Sequence, residues 1–303
     1  GCGNDPLNVN DITPVEDPVL AQILDFEKEL EAEMSEDVYP DEEVGTRSYG
    51  QPIYVKAGSK NAIQAAINKV GFNGKVILKS GMHYEKDMLY INKCMTLEGE
   101  PGAVLVTDTK VAIKQTDYID AAIHVYGGTN VRIRNFEIRP KPYTKGNTAI
   151  LIRSSDFPKV SGMTIKNHQI SIAIDDCNLS KVYDNHITGP DDFSDDPRAT
   201  VGIVLFNGEK TKIYDNFVTQ NLAGIFASGS KGYANDNVLH LNIIGLILCK
   251  FAPPLVLPDG SELASKESAN KWVVKENEAH HSGWGYLVID GAHDNYVYNN
   301  VAH

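Results

Sequence analysis

The four residues Val182-Tyr183-Asp184-Asn185 return along the second half of the chain with the same order of residue types. Each copy has an apolar residue, a variable residue, an acidic residue or asparagine, and a final asparagine. The other copies are Ile213-Tyr214-Asp215-Asn216, Ala234-Asn235-Asp236-Asn237, Val274-Lys275-Glu276-Asn277 and Val297-Tyr298-Asn299-Asn300. The shortest intervals between the final asparagines are 21 and 23 residues. An interval of this length is typical of a repeat that forms one coil of a solenoid.

The final asparagines also have a physical role in such a coil. Neighbouring strands of a sheet lie about 4.8 Å apart, so equivalent residues of successive coils form columns. An asparagine that turns inward at a tight corner can hydrogen-bond to the backbone and to the asparagines above and below it. The sequence therefore predicts that the asparagines at residues 185, 216, 237, 277 and 300 share one corner.

The strand that begins each coil has a small residue followed by alternating apolar residues, as in Ala149-Ile150-x-Ile152 and Gly202-Ile203-x-Leu205. Alternation with period two predicts that the apolar residues point inward and the intervening residues outward. The outward column at mid-strand is nevertheless apolar in six of seven coils: His124, Leu151, Ala173, Val204, Phe226, Ile247 and Leu287. We expect a cover over this column, formed by the insertion at 250–271, by the helix at 17–35, or by a second copy of the chain in a homo-oligomer.

The N-terminal part of the chain differs in composition from the rest. Residues 1–50 are predicted to be an acidic tether with one helix, which starts at Asp17-Pro18 with aspartate as cap and proline in the first turn. The β-helix is predicted over residues 51–303. Its first coils contain a short helix from Ala62 to Val70, capped by Asn61, and extended runs at 75–78 and 88–97. No C-terminal cap is evident.

The pattern over residues 52–303 resembles the pectate-lyase-like superfamily, which includes polysaccharide lyases, polygalacturonase-type hydrolases and many uncharacterised β-helix repeat proteins. The resemblance implies an all-β fold: a right-handed, single-stranded parallel β-helix with an N-terminal capping helix, here with an extra N-terminal helical segment. It also implies an extracellular carbohydrate-active protein, a polysaccharide lyase or a glycoside hydrolase with a polysaccharide as its partner. The alternative is a non-catalytic glycan-binding or structural protein of the cell surface.

In that superfamily the substrate groove usually lies along the first strand of each coil. The next outward column there places Tyr126, Arg153 and Asp175 in successive coils. Asp175-Asp176-Cys177 resembles the Asp-Asp-Cys of polygalacturonase-type hydrolases, and inverting hydrolysis uses two carboxyl groups. The candidate catalytic residues are therefore Asp175, Asp176, Arg153 and Arg198, and the candidate substrate-binding residues are His124, Tyr126 and Phe206. The next coil has Gly202-Ile203-Val204 where that family has Gly-His-Gly, which favours the alternative that Asp175-Asp176 is only a turn.

The insertion at 188–200 is rich in aspartate. Calcium prefers several carboxylate oxygens from a flexible loop, so Asp191, Asp192, Asp195 and Asp196 are candidate ligands for Ca²⁺. Lyases of the superfamily use calcium or arginine to neutralise a uronate carboxyl group. The alternative is a solvated acidic loop.

Two further residue sets have alternative interpretations. His240, His280 and His303 follow the last strand of three coils and could share a metal ion, although exposed turn residues are the simpler interpretation. Cys94 and Cys249 lie in apolar runs and are predicted to be buried, because a free cysteine packs as a small apolar residue.

The net charge of −12 belongs almost entirely to the N-terminal part of the chain. Residues 1–45 contain 14 acidic residues and one basic residue, whereas the remaining 258 residues contain 26 acidic and 27 basic residues. A nearly neutral body lacks the basic face that nucleic-acid binding requires, so no nucleic-acid partner is expected. It also predicts no broad field that would attract polyanionic glycans.

The sequence begins Gly-Cys-Gly-Asn-Asp and continues with a polar acidic stretch. This resembles the mature end of a bacterial lipoprotein, in which the cysteine is acylated. The resemblance implies a lipid anchor at Cys2 and a location at the cell surface or in the periplasm as an outer-membrane lipoprotein. The alternative is an incidental cysteine in a disordered tail.

Overall fold

The computed structural model describes residues 18–36, 51–110, 119–193, 200–250, 255–257 and 259–303. The chain divides into two units, residues 1–38 and residues 39–303. The described part of the first unit is helix α1 (Pro18–Glu36), close to the helix expected at 17–35. Within the described residues, no helix combines the length and the apolar character needed to cross a membrane.

The second unit is built from three parallel sheets, with strands numbered along the chain. Sheet I contains the first strand of each coil: β4 (Leu89–Ile91), β7 (Ala121–Tyr126), β10 (Gly146–Arg153), β13 (His168–Asp175), β16 (Val201–Leu205), β19 (Ala223–Ala227), β22 (Ile244–Leu248) and β27 (Trp284–Val288). Sheet II contains β1 (Ile53–Val55), β2 (Gly74–Leu78), β5 (Met95–Gly99), β8 (Arg132–Arg134), β11 (Lys159–Ser161), β14 (Lys181–Tyr183), β17 (Lys212–Tyr214), β20 (Tyr233–Asn235), β25 (Val273–Lys275) and β28 (Tyr296–Tyr298). Sheet III contains β3 (Gly81–Tyr84), β6 (Ala103–Thr107), β9 (Glu137–Pro140), β12 (Thr164–Lys166), β15 (His186–Thr188), β18 (Phe217–Thr219), β21 (Val238–His240), β26 (Glu278–His280) and β29 (Val301–Ala302).

The pairing of these strands defines a parallel β-helix. From β2 onward, the strands of the three sheets follow one another along the chain in the order II, III, I. Each strand pairs in parallel with its equivalents in the neighbouring coils, as β10 does with β7 and β13. The apolar residues predicted to point inward form one continuous core. Ile123, Ile150, Ile172, Ile203 and Ile225, for example, lie in register and are fully buried. The predicted fold is therefore confirmed.

The asparagines at the corner between sheets II and III form a hydrogen-bonded column. The side-chain Nδ2 of each donates to the Oδ1 of the next, at 2.9 Å from Asn185 to Asn216, 2.9 Å from Asn216 to Asn237, 2.8 Å from Asn237 to Asn277 and 2.9 Å from Asn277 to Asn300. Each Nδ2 also donates to backbone carbonyls, as Asn237 does to Ile213 at 2.9 Å. The column satisfies buried polar groups that a tight corner would otherwise leave without partners.

The first coils differ from the sequence-based prediction in two details. Helix α2 (Ala62–Lys69) is preceded by Asn61 in the left-handed conformation, and the Asn61 side chain does not cap the helix. Glu85 does so instead, because its Oε1 accepts a hydrogen bond from the Ile63 amide at 2.7 Å. The run at 88–97 is also divided into the two strands β4 and β5, which lie in different sheets.

The outer face of sheet I is covered by the insertion at 250–271. Its described part forms a short antiparallel hairpin, β23 (Leu255–Val256) and β24 (Glu262–Leu263). Leu255, Leu257 and Leu263 pack in one apolar cluster with residues in and beside the strands of sheet I: Ile119, Ala121, Leu151, Ile170, Ala173, Val201, Val204, Phe206, Ala223, Phe226, Ile247 and Cys249. Burying one leucine side chain contributes about 1.5–3 kcal/mol, so the hairpin is a firmly attached cover.

The hairpin affects the prediction that copies of the chain associate through the apolar column. From Leu151 to Ile247 that column is already buried beneath the hairpin of the same chain. Oligomerisation stays a prediction, but it cannot use this part of the face while the hairpin is in place.

The free cysteines Cys94, Cys177 and Cys249 are all buried, as predicted for Cys94 and Cys249.

Candidate functional site

The outer face of sheet I carries three rings on β4 and β7, at the N-terminal end of the sheet. Tyr90 lies directly opposite His124 in the next coil, with their ring centroids 5.9 Å apart in an edge-to-face arrangement. Tyr126 lies two residues further along the strand, with its ring centroid 6.1 Å from that of His124. Tyr90 is 37% exposed and Tyr126 is 46% exposed. We call these three residues the aromatic strip.

His124 lies between the two tyrosines of the strip, and its imidazole ring is neutral at physiological pH. Burial and, to a smaller extent, the nearby Arg153 charge lower the pKa of His124 to about 4, while Asp259 opposes this shift. The Nε2 atom of His124 is buried and makes no hydrogen bond with any residue that the structure describes. The ring therefore provides an aromatic surface between the two tyrosines rather than a cationic group.

Arg153 and Asp175 lie next to Tyr126 in the two following coils, in the register that the sequence predicts. The side chains are 15% and 9% exposed, and Arg153 Nε lies 3.5 Å from Asp175 Oδ2. The Arg153 guanidinium also lies 5.7 Å from the centre of the Tyr126 ring. Two of the predicted catalytic residues thus form a buried ion pair with each other.

The same pair holds the hairpin segment in place. Arg153 Nη1 donates to Ser261 Oγ at 3.4 Å, and Asn207 Nδ2 donates to Asp175 Oδ1 at 2.7 Å. Asn207 also donates to the carbonyl of Ala264 at 2.9 Å and accepts from the amide of Lys266 at 2.8 Å. The Asp175 carboxylate is therefore bonded on both oxygens, within a network that fixes residues 259–266 over the end of β13.

Asp176 is brought beside Asp175 but has a different environment. It adopts the left-handed conformation with φ 53°, its side chain is 56% exposed, and its Oδ1 lies 3.9 Å from Lys266 Nζ. Cys177, which follows it, is buried, and burial raises the pKa of its thiol to about 12. A thiol with that pKa is not a nucleophile at neutral pH. The Asp-Asp-Cys turn thus offers one exposed carboxylate.

The position of Phe206 differs from the one predicted for a substrate-binding residue. It was expected to bind substrate, but it is fully buried and packs in the apolar cluster under the hairpin. The chain bends at the end of β16, so that Asn207 instead of Phe206 reaches Asp175. Of the substrate-binding residues predicted, His124 and Tyr126 remain at the surface of the site.

The predicted calcium ligands are only partly within the described residues. Asp195, Asp196 and the candidate catalytic Arg198 lie outside them. Asp191 and Asp192 are exposed, and Asp192 Oδ1 lies 2.8 Å from Lys145 Nζ, where a lysine supplies the positive charge. In the described ranges, no three histidine, cysteine or acidic side chains are grouped so that they could hold a metal ion. The Ca²⁺ site stays a prediction.

Sequence reasoning missed several residues of the site. Tyr90 stands in the alternating run Leu89-Tyr90-Ile91, and aligning this run with the later coils would have placed it beside His124. Asn207, Ser261 and Lys266 give no comparable signal, because the contact between the hairpin and the strand ends is visible only in three dimensions.

A family comparison agrees with this architecture. The family model described as "Right handed beta helix region" matches residues 89–302, well over half of the chain. The chain belongs to the right-handed β-helix family. The resemblance to the pectate-lyase-like superfamily is thereby confirmed for the fold of this β-helix protein.

Solved structures of similar fold have different roles. The β-helix protein superimposes on an exopolygalacturonase of family 28 from Yersinia enterocolitica with a TM-score of 0.58 and 13% identity, covering 84% of this chain and 66% of that one, just under two thirds. It superimposes on PfbA, a surface adhesin of Streptococcus pneumoniae, with the same score and identity, covering 80% of this chain and 74% of the adhesin. A tailspike of E. coli bacteriophage HK620, in complex with a pentasaccharide, superimposes with a TM-score of 0.51 and 10% identity, covering 84% of this chain and 50% of the tailspike. No curated protein matches the sequence. At these identities the likeness shows the fold alone.

Proposed function

We propose that this β-helix protein binds an uncharged stretch of a polysaccharide along the aromatic strip. The observation that carries the proposal is the position of Tyr90 and Tyr126, two exposed tyrosines on either side of a neutral histidine. They lie where the hairpin cover ends. The C–H faces of a sugar ring pack well on aromatic rings, and a tyrosine hydroxyl adds a polar contact. Beside the strip, Arg153 lies 5.7 Å from the centre of the Tyr126 ring and bonds Ser261 of the hairpin segment.

The fold supports a carbohydrate ligand by analogy. Among the neighbours of similar fold are a tailspike solved with a pentasaccharide and a polygalacturonase. A surface adhesin of the same fold supports an extracellular binding role. These are properties of those proteins, and they favour rather than establish the same for this chain.

Binding fits the site better than catalysis does. Inverting hydrolysis needs one carboxylic acid and one carboxylate with room for water between them. Asp175 is bonded by Arg153 and Asn207, so it lacks a free oxygen for either role. Arg153, the group that would neutralise a uronate in a lyase, is already engaged by Asp175 and Ser261.

A hydrolase is the second candidate. The exposed carboxylate of Asp176 at the end of β13 favours it, because this residue occupies the strand end where the polygalacturonase-type motif stands. In that case opening of the 259–266 segment would have to release Asp175. Asp176→Asn would then abolish product formation, whereas it should leave simple glycan binding intact.

We also propose that the protein acts outside the cytoplasm, anchored by lipid at Cys2. The support is the resemblance of Gly-Cys-Gly-Asn-Asp to a mature lipoprotein end. Metabolic labelling of cells that express the precursor with a palmitate analogue would test it. Labelling of the wild type but not of Cys2→Ser is expected, and equal labelling of both would refute the anchor.

A polysaccharide panel tests the binding function. The purified protein is titrated against immobilised neutral polysaccharides (xylan, galactomannan, β-glucan and mannan) while the release of reducing ends and of unsaturated uronates is followed with and without calcium. We expect saturable binding to at least one of these without product release. Absence of binding to every neutral polysaccharide would overturn the proposal, and product release that depends on Asp176 would select the hydrolase instead.

A further inference from the structure

The hairpin segment brings an exposed carboxylate next to the aromatic strip. Arg153 lies 5.7 Å from the centre of the Tyr126 ring and donates from Nη1 to Ser261 Oγ at 3.4 Å. The Ser261 hydroxyl in turn donates to Asp259 Oδ1 at 2.6 Å. Asp259 also interacts electrostatically with Arg153 and with His124, the middle residue of the strip. These contacts connect one carboxylate of the hairpin to the strip.

The Asp259 carboxylate is held at one oxygen and open at the other. Its Oδ1 accepts from the Ser261 amide at 2.9 Å as well as from the Ser261 hydroxyl. These hydrogen bonds lower the pKa of the Asp259 carboxyl group below its ordinary value, so the group is ionised at neutral pH. Its Oδ2 accepts no hydrogen bond from the other described residues, and the residue is exposed. A carboxylate oxygen has two lone pairs, so Oδ2 is able to accept from the hydroxyl groups of a ligand.

The position of the carboxylate is fixed before any ligand arrives. A side chain that is already ordered loses little conformational entropy on binding, whereas an exposed side chain that is free to rotate has to be immobilised. The two bonds from Ser261 therefore prepare Asp259 as a hydrogen-bond acceptor beside the rings.

The charges around this part of the site sum to a negative value. Arg153 and Asp175 form an ion pair, and Asp176 lies 3.9 Å from Lys266. With Asp259 added, two cations stand against three carboxylates, which leaves a net charge of −1. A ligand that brings its own carboxylate to this place therefore meets repulsion, which salt screens because the site is exposed.

Asp176 is the other exposed carboxylate near the strand ends, and it is less suited to this role. The register places Asp175 two coils beyond Tyr126, which is about 10 Å, and Asp176 follows Asp175. The side chain of Asp176 contacts Lys266, whereas Asp259 is connected to the ring through Ser261 and Arg153.

We propose that Asp259 selects the sugar at the strip: it accepts hydrogen bonds from the hydroxyl groups of a sugar that stacks on Tyr126, and it repels acidic sugars. The inference rests on the proposed function, because it takes the strip as the glycan-binding surface. Hydrogen bonds to a charged acceptor are stronger than those between neutral groups, so Asp259 adds affinity as well as selectivity. The ligand class is a neutral polysaccharide with free hydroxyl groups.

The variant Asp259→Asn tests the hydrogen-bonding role. It keeps an oxygen for the bonds from Ser261 and removes the charge. The matched control is Glu262→Gln, an exposed acid of the same hairpin, which points away from sheet I because the next residue, Leu263, is buried. On the neutral panel of xylan, galactomannan, β-glucan and mannan, we expect Asp259→Asn to bind about tenfold more weakly than the wild type. The control should stay within about twofold, and both melting temperatures should be unchanged.

The charge selection is measured on two derivatives of the polysaccharide that the wild type binds. One is lightly carboxymethylated, and the other is hydroxyethylated to the same degree, so that only the charge differs. At low salt the wild type should bind the carboxymethylated form at least about fivefold more weakly, and added salt should reduce this difference. In Asp259→Asn the two forms should bind alike.

Unchanged affinity of Asp259→Asn for the neutral polymer, equal weakening by Glu262→Gln, or equal binding of both derivatives by the wild type would overturn the inference. If Tyr90→Ala/Tyr126→Ala still weakens binding in the same assay, the strip remains the glycan site and only the role of Asp259 fails. If the wild type binds no polysaccharide of the panel, the proposed function fails, and this inference fails with it.

Discussion

Replacing Asp175 by asparagine distinguishes a structural carboxylate from a catalytic one. The change keeps an oxygen that can accept the 2.7 Å hydrogen bond from Asn207 and removes only the charge that faces Arg153 at 3.5 Å. Two unit charges at that distance attract by about 5 kcal/mol at an effective dielectric constant of about 20. Most of this is offset, because the carboxylate no longer has to be desolvated and Asp259 still acts on Arg153. We expect a net loss of about 2 kcal/mol in the free energy of unfolding.

Urea denaturation followed by the fluorescence of the buried Trp272 measures this loss. The matched control is Asp176→Asn, an exposed neighbour that should change stability by less than about 0.5 kcal/mol. In the double variant Arg153→Gln/Asp175→Asn the two effects should not add, with a coupling of about 1–2 kcal/mol. Equal stability of the two single variants, or strict additivity in the double variant, would refute the structural role of the pair.

Three further predictions concern stability. Asn237→Ala should cost about 3 kcal/mol, because it leaves buried partners such as the Asn216 amide unsatisfied, and the half-buried Asn300→Ala about 1 kcal/mol; equal midpoints in urea would contradict this. Burial lowers the pKa of His168 to about 4, so that between pH 6.5 and about 4 the histidine is protonated in the unfolded chain but not in the folded one. The free energy of unfolding should therefore drop by about 3 kcal/mol as the pH falls through this window. The variant His168→Asn should show a smaller drop, and an unchanged pH profile would exclude this cause. Leu263→Ala should destabilise the protein by about 2–4 kcal/mol and increase the binding of a hydrophobic dye, whereas unchanged dye binding would show that the hairpin does not seal the apolar face.

The repeating part of the fold could be predicted from sequence because each coil repeats the same local constraints. One asparagine per coil and a small residue at each strand start are visible without any knowledge of tertiary contacts. The small residue is required: a Cβ at Gly202 would lie 2.7 Å from the carbonyl oxygen of Gly224 in the next coil. Register then follows, since a shift by one residue would turn the whole apolar set outward.

The site was less predictable, because it depends on a segment that interrupts the repeat. The insertion at 250–271 could be identified as a candidate cover, but its sequence does not show that Ser261 contacts Arg153 at the end of β10 or that Ala264 contacts Asn207 just after β16. Phe206 was misplaced for the same reason. Alternation predicts an outward side chain there, and only the hairpin makes that direction part of a core.

The aromatic strip is tested most directly by the affinity of Tyr90→Ala/Tyr126→Ala for whichever neutral polysaccharide the wild type binds. Tyr54→Ala, which removes an exposed tyrosine from sheet II, serves as the control. The account predicts at least tenfold weaker binding for the double variant, with the control and the melting temperature unchanged. Wild-type affinity in a folded double variant would contradict it and place the glycan elsewhere on the protein.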